Sequence, residues 1–175
     1  MLLAVAGSLF YVWFQPKLPS FHIQSVKTPI FNVTVTPDGT FLDAQTDVKF
    51  EATNPNTKID FYFGQTQVRM TVEDDVDIGS ATIPEFTQGR KNTTILKFET
   101  NVKKLLIDDE SGRRLKDRIR SKMMVVNVEV RTRVGVGLEK WKLGKMAVVV
   151  MCEDVRVKQV EGGDTPKCAI NLFKW

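Results

Sequence analysis

Hydrophobic and polar positions alternate with a period of two through most of the chain. Phe31, Val33 and Val35 alternate with Asn32, Thr34 and Thr36; Val48, Phe50 and Ala52 with Lys49, Glu51 and Thr53; Val68, Met70 and Val72 with Arg69, Thr71 and Glu73. Each run predicts a strand with one buried face. The pattern returns at Leu96, Phe98 and Thr100. It is clearest at Met124, Val126, Val128 and Val130, whose neighbours Asn127, Glu129, Arg131 and Arg133 are expected to face water. Residues 146–152 are apolar on both faces, as suits a central strand covered on both sides. Pro37-Asp38-Gly39, Asn54-Pro55-Asn56 and Gln88-Gly89-Arg90 fall between the runs and have turn chemistry: φ is fixed at Pro, and Gly and Asn tolerate the left-handed region. Seven or eight short strands in one domain predict an all-β, antiparallel β-sandwich.

Residues 108–122 break this rhythm. Leu115, Ile119 and Met123 recur every four positions, and Asp108, Asp109 and Glu110 precede a run of cations. This predicts one short inserted amphipathic helix, with carboxylates at its positive end and cations at its negative end. Helix physics accounts for the arrangement without a ligand. The sharper reading makes Arg113, Arg114, Lys116, Arg118, Arg120 and Lys122 an anion-binding surface for lipid headgroups or acidic polysaccharide.

At the other extreme of pattern, the first fourteen residues are almost wholly apolar and carry no charged side chain. Spanning a bilayer as a helix takes about 20 residues, so a truncated anchor, a signal-peptide core and a buried strand all fit. A truncated anchor is favoured. Tyr11, Trp13 and Phe14 cluster at the downstream end, where aromatics sit at headgroup level, with Lys17 on the water side. No basic region precedes Leu2, as a secretory signal would require. The organisation expected is therefore a partial transmembrane anchor over 1–15, a Pro-rich junction over 16–21 and one folded domain over 22–175.

About 160 residues follow the apolar start, enough to bury a core without metal or disulfide support. The formal net charge is +4, from 25 basic and 21 acidic residues. That is a mixed surface rather than a nucleic-acid footprint, and no nucleic-acid partner is expected. Cys152 and Cys168 lie sixteen positions apart across the turn-rich Gly162-Gly163-Asp164-Thr165-Pro166. They form either one disulfide, contributing about 3 kcal/mol in an oxidising compartment, or two reduced thiols in a cytosolic protein. The sequons at Asn32 and Asn92 are glycan acceptors only if the domain enters the secretory pathway.

Catalysis has little footing. His22 is the only histidine, has no plausible nucleophile near it in sequence, and reads as a strand-face residue. Asp74, Asp75 and Asp77, like Asp108, Asp109 and Glu110, match no calcium loop or glycosidase pair and read as solvated turns. Gly135-Val136-Gly137 lacks the third glycine of a dinucleotide fingerprint and is read as relief of strand twist. No enzymatic activity, metal or cofactor is expected.

These features together resemble a known family. The apolar start leads into Pro16-Lys17-Leu18-Pro19-Ser20-Phe21. A strand closes on Phe50-Glu51-Ala52-Thr53-Asn54-Pro55-Asn56, and Val130-Arg131-Thr132-Arg133-Val134 and Val150-Met151-Cys152 follow in order, with a second cysteine near the end. From about Tyr11 to Cys168 this resembles plant late-embryogenesis-abundant group 2 proteins. Within them it is similar to the membrane-anchored NHL branch, named for non-race-specific disease resistance and harpin-induced proteins. The resemblance implies an immunoglobulin- or fibronectin-like sandwich and a single-pass plasma-membrane topology with the carboxy-terminal domain facing the cell wall. It also implies a non-catalytic role in plant defence, membrane–wall contact or desiccation stress. A soluble intracellular protectant of the same family is the alternative. The chain has no Arg-Gly-Asp-like tripeptide, so an adhesion role has no residue-level basis here.

Overall fold

The computed structural model describes residues 2–14, 16–73 and 76–172. Asp74 and Asp75 of the acidic cluster, and the side chains of Tyr11, Trp13 and Phe14, lie outside what is described. The elements, in order, are α1 (Leu2–Phe14), β1 (Ser20–Thr36), β2 (Gly39–Thr53), β3 (Ile59–Phe63), β4 (Thr66–Val72), β5 (Val76–Ile83), β6 (Phe86–Gln88) and β7 (Thr93–Ile107). There follow α2 (Asp109–Ser121), β8 (Val125–Leu138), β9 (Trp141–Arg156), α3 (Val157–Glu161) and β10 (Ala169–Leu172).

Two antiparallel sheets build the domain. One has the order β1-β2-β7; the other has the order β10-β9-β8-β3-β6, with β4 pairing beside β3 on the same edge of β8 and carrying β5. The inner positions of both contribute to one core. Phe21 of β1 stacks on Phe50 of β2 at 5.5 Å between ring centroids and meets Phe63 of the opposite sheet edge-on at 6.2 Å. The all-β antiparallel class is therefore as the alternation implies, each sheet burying its apolar face against the other.

The details differ from the reading of short, even strands. Among the described residues ten strands form, and β1 spans 17 residues. Alternation marks only residues 31–36 of it, with His22 alone read as strand-face upstream, because Pro29 interrupts the pattern; the structure absorbs that proline where the β1–β2 register shifts between Lys27 and Ile30, so no ladder donor is lost. Ser20 and Phe21, assigned to the junction, pair with Thr53 and Ala52 and belong to the sheet. Val35, expected inside, is exposed near the β1–β2 turn. A second short helix, α3, follows β9 and buries Val157 and Val160. Gly137 has a packing role rather than a twist-relieving one: a Cβ there would lie 2.5 Å from the Tyr62 ring. Residues 148–150 are buried on both faces of β9, as their apolar run implies.

α1 has thirteen residues, which makes it about 20 Å long against a hydrocarbon core of about 30 Å. Among the described residues, no helix is long and apolar enough to cross a membrane.

Candidate functional site

The cationic helix α2 is set by its ends. The Asp108 carboxylate accepts from the Ser111 amide at 2.8 Å, closing the N-terminus, and the Ser111 hydroxyl and amide hold that carboxyl below its ordinary pKa. At the other end Lys122 adopts φ 55°. Its amide donates to the Ile119 carbonyl while the Met123 amide donates to that of Arg118, the two bonds of a Schellman motif. The helix stops there, so Met123 is exposed and Met124 is buried in its place. Leu115 is fully buried, and Gly112 allows a close approach to β2: a Cβ there would meet the Thr40 methyl at 2.5 Å.

The six cations divide into two groups. Arg118 is ion-paired with Glu73 at 3.1 Å, and the Glu73 side chain is only 7% exposed and also accepts from the Val125 amide. Arg114 donates to the Ser111 hydroxyl at 3.1 Å. Arg118 ties the helix to its surroundings and Arg114 bonds back within its first turn, whereas Arg113, Lys116, Arg120 and Lys122 face solvent. The cationic face that α2 leaves open to solvent is thus narrower than the sequence implied.

Asn54-Pro55-Asn56 is a clasp rather than a presented loop. Both asparagines are buried. The Asn54 side-chain amide donates to the carbonyls of Ile59 and Gly89, and its oxygen accepts from the amide and side chain of Asn56. Asn56 in turn holds Lys17, accepting from its amide at 2.8 Å and donating to its carbonyl at 2.7 Å. The chain leaving α1 is therefore pinned to the end of the sandwich where β2 finishes and β3 begins. α2 starts against Thr40 at the other end of β2, roughly 40 Å away along an extended strand.

The remaining calls fall as follows. Cys152 and Cys168 are disulfide-bonded. Cys152 belongs to β9, while the Cys168 amide donates to the Phe21 carbonyl of β1, so the bond pins a segment that bridges the two sheets. Asn32 and Asn92 are both solvent-exposed. His22 lies in β1 opposite Glu51 and bridges to Lys167. Asp77 pairs with Arg69 and accepts from the Gly79 amide, and Asp108, Asp109 and Glu110 form the cap and first turn of α2. One feature was missed: the β8–β9 hairpin exposes Trp141 (77%) and Leu143 (54%) among lysines. The signal was present in Lys140-Trp141-Lys142-Leu143, whose alternation of cations with large apolar residues is unusual for a solvated turn.

Fold and surfaces together define a disulfide-pinned antiparallel β-sandwich with a basic helix on its flank and an apolar helix leading into it. Residues 49–153, more than half of the chain, match the family described as late embryogenesis abundant protein, and the chain belongs to that family. It is similar to NDR1/HIN1-like protein 3 of Arabidopsis thaliana, at 27% identity over 77% of this chain and 57% of that protein. It is also similar to NDR1/HIN1-like protein 2 (25%; 85% of this chain, 61% of that protein) and NDR1/HIN1-like protein 10 (26%; 90% and 68%) of the same plant. The chain thus spans about three-fifths of the length of the first two of these relatives. A crystal structure of a protein from Archaeoglobus fulgidus, 13% identical, covers 75% of this chain and 94% of its own at a TM-score of 0.32, too low to inform the fold.

Proposed function

We propose that this chain is a membrane-anchored, non-catalytic binding protein of plant stress or defence, with its immunoglobulin- or fibronectin-like sandwich facing the cell wall at the plasma membrane. The observation that carries this reading is the Cys152–Cys168 disulfide, since such bonds persist in oxidising compartments and are rare in the cytosol. Membership of the late embryogenesis abundant family and similarity to NDR1/HIN1-like proteins support the stress and defence role. The apolar α1, which ends shortly before the clasped Lys17, supports the anchor. Exposed Asn32 and Asn92 support exposure to the glycosylation machinery.

The binding surface in this reading is the set Arg113, Lys116, Arg120 and Lys122, and its counterpart is acidic wall polysaccharide. Lipid headgroups are the weaker choice for α2, because the helix begins at the end of the sandwich remote from Lys17. The test is alkylation of the protein in intact plant cells followed by intact-mass analysis. No alkyl uptake before reduction is expected. Two alkyl groups on the native protein would overturn the wall-facing placement and favour the intracellular protectant.

A further inference from the structure

We propose that the β8–β9 hairpin is a second membrane contact, its Trp141 and Leu143 inserting among the phospholipid headgroups beside the anchor. The proposal deepens the anchored reading and rests on it, because it is α1 that brings this end of the sandwich to the lipid.

Register places the hairpin there. Leu138 pairs with Trp141 across the turn and with Ile59 of β3, which follows directly on the Asn54-Pro55-Asn56 clasp that holds Lys17. Lys91, whose amide donates to the Asn56 carbonyl, is at the same end. The turn that carries Lys140 and Trp141 and the point where α1 joins the domain are therefore neighbours.

Trp141 and Leu143 occupy inward register positions that no described residue covers. Val136 pairs with Leu143 and Leu138 with Trp141, so all four lie on one face of the ribbon. Val136 and Leu138 are partly buried against the core, continuing the face of Phe61 and Ile59. Trp141 and Leu143 continue the same face past the rim of the facing sheet and stand in solvent. Two large apolar side chains left exposed at a hairpin tip mark an interaction surface.

Charge and chemistry identify the occupant. Lys140 and Lys142 flank Trp141, and Lys17 and Lys91 are at the same end, opposed locally by Glu139. Lys142 lies over the Tyr62 ring at 4.6 Å, on the ribbon face opposite Trp141, which braces the hairpin from behind. A tryptophan with its ring in the interfacial layer and lysines reaching phosphates is the arrangement favoured at a membrane–water boundary. The partner is a phospholipid bilayer surface.

The full chain carrying Trp13→Phe and Trp175→Phe retains Trp141 as its one tryptophan. Floated with vesicles of phosphatidylcholine and phosphatidylserine bearing brominated acyl chains, it should show blue-shifted and strongly quenched Trp141 emission. A reporter at the opposite end, Val35→Trp in a chain lacking the other tryptophans, should keep its emission. If the chain floats and Trp141 is quenched no more than the Val35→Trp reporter, the hairpin contact is overturned while the anchor stands. Leu9→Asp, in α1, tests the anchor separately. If flotation is unchanged by it, the anchor reading fails, and quenching of Trp141 then supports the hairpin on its own. A wild-type chain that does not float overturns the hairpin contact.

Discussion

The side chain of Asn56 mimics a strand partner for Lys17, accepting from the Lys17 amide at 2.8 Å and donating to the Lys17 carbonyl at 2.7 Å. This pair fixes the course of the Pro-rich leader where it meets the sandwich. Asn56→Asp replaces the donating amide with an oxygen that faces the Lys17 carbonyl and the Asn54 side-chain oxygen. We expect a loss of about 2–3 kcal/mol, the cost of leaving buried polar groups unpaired. Chemical denaturation should show the lower midpoint, and hydrogen exchange should show faster exchange at Lys17 and Asn54.

The division of the basic helix gives a two-sided prediction. Reversing Arg113, Lys116 and Arg120 should abolish co-sedimentation with polygalacturonate and leave the melting temperature near wild type, because these side chains face solvent. Binding by the wild type should weaken steeply as salt rises. Arg118→Glu should instead destabilise the fold, by placing a like charge against the mostly buried Glu73. A wild type that ignores polygalacturonate at low salt would reduce α2 to a solvated structural helix.

Asp108 makes the stability of α2 depend on pH in a defined direction. Its folded-state pKa is depressed, chiefly by the Ser111 hydroxyl and then by the Ser111 amide. Its stabilising contribution is therefore complete above the ordinary aspartate value of about 3.9 and is lost as pH falls through the lower folded value. NMR titration should find the Asp108 carboxyl midpoint below that of an unstructured aspartate. Asp108→Asn, which keeps a capping oxygen but no charge, should flatten the acid limb of α2 amide protection.

Cys152→Ser should lower stability by about 2–4 kcal/mol on the chain-entropy account of a loop of this size. The first effect should appear where residues 166–168 bond to β1, because the disulfide ties that segment to β9. Exchange at Ile23 and Cys168 amides is the local readout.

The two-residue period made the sandwich legible, since Val126, Val128 and Val130 are all buried where alternation puts them. The period failed where another constraint intervened. Pro29 hid half of β1, and the five residues of β3 are too few to stand out from the turn before them. The helix was legible from Leu115 and Ile119, but its end depended on a left-handed Lys122, which spacing does not reveal, so Met123 was assigned to the wrong side. Composition marks Asn54 and Asn56 only as turn formers between two strands. The value of Asn56 lies in its contacts with Lys17, 39 positions away, which no local pattern encodes.

Topology tests the central claim most directly. The complete coding sequence, tagged at both ends and expressed in plant cells, should lose its carboxy-terminal tag to protease added outside intact cells and keep its amino-terminal tag. A carboxy-terminal tag that survives until the plasma membrane is permeabilised would contradict a wall-facing sandwich.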